Sequence, residues 1–321
     1  MKTLFTSIIA IAITSIALAQ NPDKALARVR YSFSHIQDTT QKDKPYNENM
    51  LLVIGRNASV YTSYDKINRN LDMEKQIQEQ IKNQAGSGQM SIKIGGSPTG
   101  AMPKAVSALD YFYYAKENKF FTKERVINNY LMEEDAPKIN WKISKDTATF
   151  SGVKCQKATA YFKGRNWTAW FAPEMPFQSG PWKLNGLPGL IIEAIDETKT
   201  VHFQFAGIDN VTPENKLEGS VSPKIITPGG TIPMASIMGM DGNIYLGAEI
   251  KLPEDAVKTT RKELDKLKEA RDKDPQGFMN AQMAAQGIQM GNVQRSGRVI
   301  TNVDAKKIVI NNPIELPEKG K

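Results

Sequence analysis

From Ala27 to Ile208 apolar and polar residues trade places in short stretches, and that alternation restricts the fold more than any other feature of the chain. Val29, Tyr31, Phe33 and His35 fall on one side of a strand while Arg28, Arg30, Ser32 and Ser34 fall on the other, the period-two signature of a half-buried β-strand. Similar runs follow at 50–54, 59–63, 111–114, 119–122, 126–132, 139–143, 147–150, 157–162, 166–171, 190–195 and 200–208. Gly55-Arg56-Asn57-Ala58 and Lys163-Gly164-Arg165 read as hairpin turns. Connections this short favour antiparallel neighbours, because a parallel pair needs a crossover of a dozen residues or more. Roughly ten strands joined in this way must twist and curl. The predicted class is therefore mainly β, or α+β, a curved antiparallel sheet or half-barrel with peripheral helices. In outline that is an architecture similar to the periplasmic lipoprotein carriers, an analogy of fold that says little about ligand.

The densest stretch is Cys155–Ile195. A hairpin rich in aromatic residues leads into repeated Pro and Gly turns, at 172–176, at Gly180-Pro181 and at Leu187-Pro188-Gly189-Leu190. In the last of these Pro188 presets φ for the first central position of a turn, and Gly189 is expected to take the positive φ that a type II turn requires next. Trp141, Trp167, Trp170 and Trp182, with Phe162, Phe171 and Phe177, place many rings beside this loop. Most belong in a core. A curled sheet closing on the loop also suggests an apolar pocket, with Trp170, Phe171, Trp182, Leu187, Pro188 and Gly189 as its expected ligand-binding residues and a small apolar molecule, lipid chain or partner segment as guest.

The ends of the chain carry other information. Met1–Ala19 has one basic residue, Lys2, an apolar run from Leu4 to Leu18 and the small-residue site Ala17-Leu18-Ala19, the pattern of a secretory signal peptide. The expected organisation is a leader over 1–19, a β-rich core over 20–210 with a helical insertion at 64–105, and a loop and helix extension over 211–321 whose end returns to the core as an edge strand. Export to the periplasm or cell surface follows, with no transmembrane segment in the mature chain. Cys155 is the only cysteine, so the core stands without an intrachain disulfide. The net charge of +8 is dispersed, without the basic cluster that nucleic-acid binding calls for.

Two helices are predicted. Met73, Ile77 and Ile81 recur within Asp72–Lys82, an amphipathic pattern. Asp255–Lys273 carries Val257, Leu264 and Leu267 with flanking acid–base pairs, the mark of a mostly solvated helix. Between and beyond them, Met234, Met238 and Met240, and then Met279, Met283 and Met290, offer soft thioethers that suit Cu(I), although such residues serve equally well as packing.

Groups able to carry a reaction are few. His35 and His202 are the only imidazoles and Cys155 the only thiol, and no spacing links them as a nucleophile and its base. Cys155 lies in a strand pattern, where a free cysteine behaves as a small hydrophobe. A hydrolase using Cys155, or a carboxylate such as Glu193 or Asp196, remains the alternative. A copper-handling accessory built on the methionines is a further one. No cofactor and no metal ligand is expected otherwise.

Gly186–Ile191 reads GLPGLI, and with it stand the CQKA stretch at 155–158, Trp170-Phe171, Pro176, Gly180-Pro181 and the NPIEL tail at 312–316. On these residues the chain resembles the GLPGLI family of exported proteins from the Bacteroidota. That resemblance implies a periplasmic or surface protein associated with outer-membrane transport receptors. It implies no activity, so no catalytic or binding residue is carried over. The expectation is an exported, non-enzymatic binding or accessory protein.

Overall fold

The computed structural model describes residues 22–84, 105–126, 128–212, 224–227, 230–233, 245–285 and 309–318. The expected leader lies outside these residues, as do Met234, Met238, Met240 and Met290 and the side chains of Met279 and Met283. In chain order the elements are β1 (Asp23–Lys24), β2 (Ala27–His35), β3 (Tyr46–Ile54), β4 (Ala58–Ser63), α1 (Tyr64–Gln84), β5 (Leu109–Tyr114), β6 (Lys119–Arg125), β7 (Asn129–Asp135), β8 (Lys142–Phe150), β9 (Val153–Phe162), β10 (Arg165–Ala172), β11 (Leu190–Asp196) and β12 (Val201–Asn210). Then come β13 (Lys224–Thr227), β14 (Gly230–Pro233), β15 (Glu249–Ile250), β16 (Val257–Lys258), α2 (Arg261–Lys273) and α3 (Pro275–Ala285).

One sheet of twelve strands runs β16-β7-β6-β5-β4-β3-β2-β12-β11-β10-β9-β8, and every neighbouring pair is antiparallel except β16 with β7. Two meanders build it. β2 to β7 step outward in one direction, β8 to β12 step back from the other edge, and they meet where β12 pairs with β2 from Asn210↔Ala27 to Val201↔His35. The β9–β10 turn is the one the sequence announces. Lys163 and Gly164, at φ 51° and 74°, form the two-residue link between β9 and β10, and Ser151 and Gly152, at 50° and 77°, the link between β8 and β9. Positive φ at both central positions matches the twist of the flanking strands.

The connection from β7 to β8 forces the sheet to bend. These strands stand at the second and last places in the sheet order, about 48 Å apart if the strands lay flat at their usual spacing. Only residues 136–141 join them, and a link of that length spans at most about 25 Å. The sheet therefore curls until its two margins approach. It does not close, because β16 and β8 remain unpaired with each other.

Alternation then gives the curl two cores. The inner face carries Val29, Tyr31, Leu52, Tyr61, Trp167, Ala169, Phe171, Val201 and Phe203, all buried, together with Trp182, Leu184 and Leu187 from the loop between β10 and β11. The outer face carries Leu51, Val53, Val60, Phe112, Phe121 and Leu131, covered by Ile67 of α1 and by Tyr245, Leu246 and Ile250. No helix among the described residues is long and apolar enough to cross a membrane.

Three elements differ from expectation. α1 begins at Tyr64 rather than near Asp72, with Ser63 Oγ accepting from Lys66 N at 2.9 Å. Its buried stripe is Ile67, Asn70, Glu74 and Ile77, and the two polar members hide the helical period from a hydrophobicity count. α2 begins at Arg261 rather than Asp255, with Thr260 and Glu263 forming a reciprocal capping box. The β-branched approach to it, Val257-Lys258, pairs with β7 instead. The tail at 309–318 forms no strand. Pro313 and Pro317 lack the N–H a ladder needs, and the segment is held by side chains and by isolated backbone bonds to Gln37 and Lys163.

Candidate functional site

The loop from Pro173 to Gly189 fills the inside of the curl. Trp182 sits at φ 56°, a left-handed conformation that costs an L-residue about 1–2 kcal/mol and is held here by packing. Its ring lies 5.8 Å from both Phe162 and Trp167. Trp141 Nε1 donates to Asn185 O at 2.7 Å, which ties the β7–β8 connection to the loop. Lys183, nearly buried, reaches Glu134 at 2.7 Å and Glu315 at 3.0 Å. Among the space around the loop, the cavity lined by Leu52, Tyr61, Tyr111, Phe120 and Trp182 measures about 10 Å³, room for one water at most.

The six expected ligand-binding residues are therefore mostly core. Phe171, Trp182, Leu187 and Gly189 are buried, Trp170 is half-buried on the other face of β10, and Pro188 is exposed. An apolar guest among them would first have to displace Trp182, Leu184 and Leu187. The expected turn also differs in kind. Gly189 N donates to Leu187 O at 2.8 Å, closing a three-residue turn about Pro188, and Gly189 is not among the residues at positive φ. Its glycine is required by close approach: a Cβ there would stand 2.2 Å from Ala172 O. The positive φ belongs to Gly186, at 86°.

A more open site lies on the outer face, where β12, β2 and β3 run side by side. His202↔Ser34↔Asn47 and Gln204↔Ser32↔Asn49 are cross-strand neighbours, so six polar side chains project from one rigid floor. They line, with the Phe33 and Glu48 positions between them, a groove of about 340 Å³, within the range of small-molecule sites. Asp65 of α1 fixes Asn49 by accepting from its backbone N at 3.1 Å and its Nδ2 at 2.8 Å. His202 Nε2 lies 3.4 Å from Glu193 Oε1 at the groove's β11 side. Glu193 in turn pairs across the ladder with Trp170, whose ring meets Phe150 at 5.1 Å and Lys157 Nζ at 6.0 Å.

Hydrolytic chemistry finds little support at sulfur. Cys155 is buried and its Sγ–H donates to Val153 O at 3.4 Å. Burial, with Glu193 adding to it, pushes the thiol up to about 11, opposite to the shift that activates a nucleophile. Asp196 is engaged by Arg165 at 2.8 Å. Among the described residues no three His, Cys, Asp or Glu side chains converge as a metal site requires.

The polar groove escaped the sequence reading because its members are ordinary outward positions of three strands far apart in the chain. A hint was present in β2, where Ser32 and Ser34 replace the charged residues that open the same face.

Comparison with known proteins adds a family match and two weak structural likenesses. No curated protein matches the chain. Among solved structures, "Structure of PNGF-II in C2 space group" is 8% identical, covering 75% of this chain and 32% of that one at a TM-score of 0.44. "Structure of PNGF-II in P21 space group" is 10% identical, covering 61% and 30% at a TM-score of 0.40. The chain thus spans about a third of the length of those structures. Residues 123–193, from within β6 to within β11 and including the whole interior loop, match the model of a family described as a protein of unknown function (Porph_ging).

Proposed function

We propose that this chain is an exported, non-enzymatic binding protein that holds a small, neutral, hydrogen-bonding ligand in the outer groove of the sheet. The observation that carries the reading is the groove itself. Ser32, Ser34 and Gln204 offer hydroxyl and amide groups with no partner among the described residues, on a floor whose ladder fixes their spacing. Preorganised donors and acceptors of this kind lose little entropy on binding. The absence of a formal charge on five of the six side chains favours polyhydroxyl or amide compounds over ions. Export, the GLPGLI resemblance and an outer-membrane partner belong to the same proposal and rest on the leader pattern and the hexapeptide at 186–191.

Amide-resolved NMR titration with neutral polyols, saccharides and small amides tests it. Saturable shifts confined to Ser32, Asn47, His202 and Gln204, and abolished by Ser34→Trp, are expected. Millimolar probes that leave those resonances unmoved would remove the reading. A hydrolytic second reading draws on the Glu193 and His202 pair beside the groove. It requires turnover of a bound amide or ester that Glu193→Gln eliminates while binding persists.

A further inference from the structure

The C-terminal segment 311–316 is bound to the body of the protein in the manner of a peptide on a receptor. Its backbone makes no ladder, yet three of its N–H groups and three successive carbonyls are met by groups of the body. Asn311 N and Asn312 N donate to Gln37 O at 3.1 and 3.0 Å, and Leu316 N donates to Lys163 O at 3.1 Å. The three successive carbonyls are taken by buried side chains: Asn312 O accepts from His35 Nε2 at 2.8 Å, Pro313 O from Arg165 Nη2 at 2.7 Å, and Ile314 O from Arg165 Nε at 2.8 Å.

Side chains of the segment are recognised as well. The Asn312 amide accepts from Arg165 Nη2 at 2.7 Å and donates to Ile36 O at 2.7 Å, so both halves of the amide are read. Glu315 meets Lys163 at 3.1 Å and Lys183 at 3.0 Å. Leu316 lies over Gly164, where an added Cβ would stand 2.6 Å from Leu316 Cβ, so the glycine leaves room for that residue. Arg165 is itself set by Asp196, which Thr200 N and Val201 N also bind at 2.7 Å each. The receptor groups belong to β2 and the two residues after it, the β9–β10 turn, β10 and the interior loop.

The structure assigns a sequence-specific peptide-binding site to this Arg165 corner. It takes an extended segment in which asparagine and proline are followed by an aliphatic residue, an acid and leucine. Its occupant here is the chain's own end, and the partner that fits it in exchange is the same segment from a second copy. This site is separate from the outer groove and does not depend on the reading given for that groove.

The test uses the whole chain with a protease recognition sequence inserted between residues 295 and 300. After cleavage the bound end becomes a free ligand, and a fluorescently labelled peptide of residues 309–318 is added. Saturable uptake of the label is expected, with at least tenfold weaker uptake of the Asn312→Ala peptide, since charge-assisted hydrogen bonds to buried partners contribute about that factor or more. Glu315→Gln should weaken uptake less, and in a salt-dependent manner. The inference fails if the cleaved chain keeps its circular dichroism and cooperative melt yet never admits the label. It fails equally if the Asn312→Ala peptide enters as well as the native one.

Discussion

Arg165 Nη1 and Asp196 Oδ2 stand 2.8 Å apart with both side chains almost wholly out of water, and the pair joins the start of β10 to the end of β11 while presenting the remaining guanidinium nitrogens to the C-terminal tail. A buried charge that loses its partner is far more costly than a paired one is stabilising.

Arg165→Met is accordingly expected to destabilise the fold by about 3–5 kcal/mol, because Asp196 is left buried and uncompensated. Asn312→Ala removes hydrogen bonds without stranding an unpaired carboxylate, and about 1–3 kcal/mol is expected. Urea denaturation followed by tryptophan fluorescence would check both, and an equal cost would contradict the asymmetry.

Acid should act on this corner in two steps. Burial holds His35 below its ordinary value of 6.5, and Arg165 lowers it further against the opposing effects of its bond to Asn312 and of Asp196. The unfolded chain therefore takes up a proton on His35 before the folded one does. The stability contributed is complete above about pH 6.5 and declines as pH falls below it. Burial would raise Asp196, but hydrogen bonds from Thr198 and Val201 and the charge of Arg165 outweigh it and hold the carboxyl below its ordinary 3.8. Its contribution is present above about pH 4 and is lost on further acidification. His35→Gln should erase the upper step and leave the lower one, as read from chemical denaturation across pH 3 to 8.

Two glycines of the interior loop should respond differently to asparagine. Gly189 needs the absence of a Cβ, which would meet Ala172 O at 2.2 Å, so alanine and asparagine should both destabilise by about 1–3 kcal/mol or more. Gly186 has positive φ, and a Cβ added there would meet nothing within 4 Å. There asparagine should be tolerated, while valine costs about 1–2 kcal/mol or more. Melting temperatures of the four variants separate the two causes.

On the outer face Asp110, wholly buried, meets Lys66 at 2.6 Å and Lys123 at 3.1 Å and accepts from Thr62 and Tyr245. Burial opposes its ionisation, yet the two lysines outweigh that and keep the carboxyl far below its usual range. Asp110→Ala leaves two cations facing each other and should cost about 3–5 kcal/mol. Lys66→Met, at the more exposed position, leaves one ion pair and should cost clearly less. Guanidinium titrations of the two variants would decide it.

Groove residues should show the opposite behaviour. Gln204 and Ser32 are exposed, so Gln204→Ala and Ser32→Ala are expected within about 0.5 kcal/mol of the parent while ligand-dependent NMR shifts are lost. A large loss of stability would mark these positions as structural.

Much of the architecture was legible in the sequence. Alternation at Val29, Tyr31, Phe33 and His35 named both faces of β2, and Lys163-Gly164 announced a hairpin, because strand period and turn chemistry are local properties. Helix limits were less legible. α1 buries Asn70 and Glu74, and α2 starts at a capping box rather than at the first acids. Pro and Gly mark the loop from Pro173 to Gly189 as stiff, but whether it frames a pocket or fills one depends on strands that the sequence cannot bring together.

By itself the sequence determined an antiparallel β chain with a stiff Pro and Gly loop, since those properties follow from neighbours a few residues apart. Only the tertiary structure decided that β12 joins β2, that the curl is packed by Trp182, Leu184 and Leu187, and that Arg165 meets Asp196 and Asn312. Those contacts link residues as far apart in the chain as Ala27 and Asn210, and a buried ion pair or a polar groove gives no periodic signal along the chain. Its partners become recognisable only when the sheet sets them side by side.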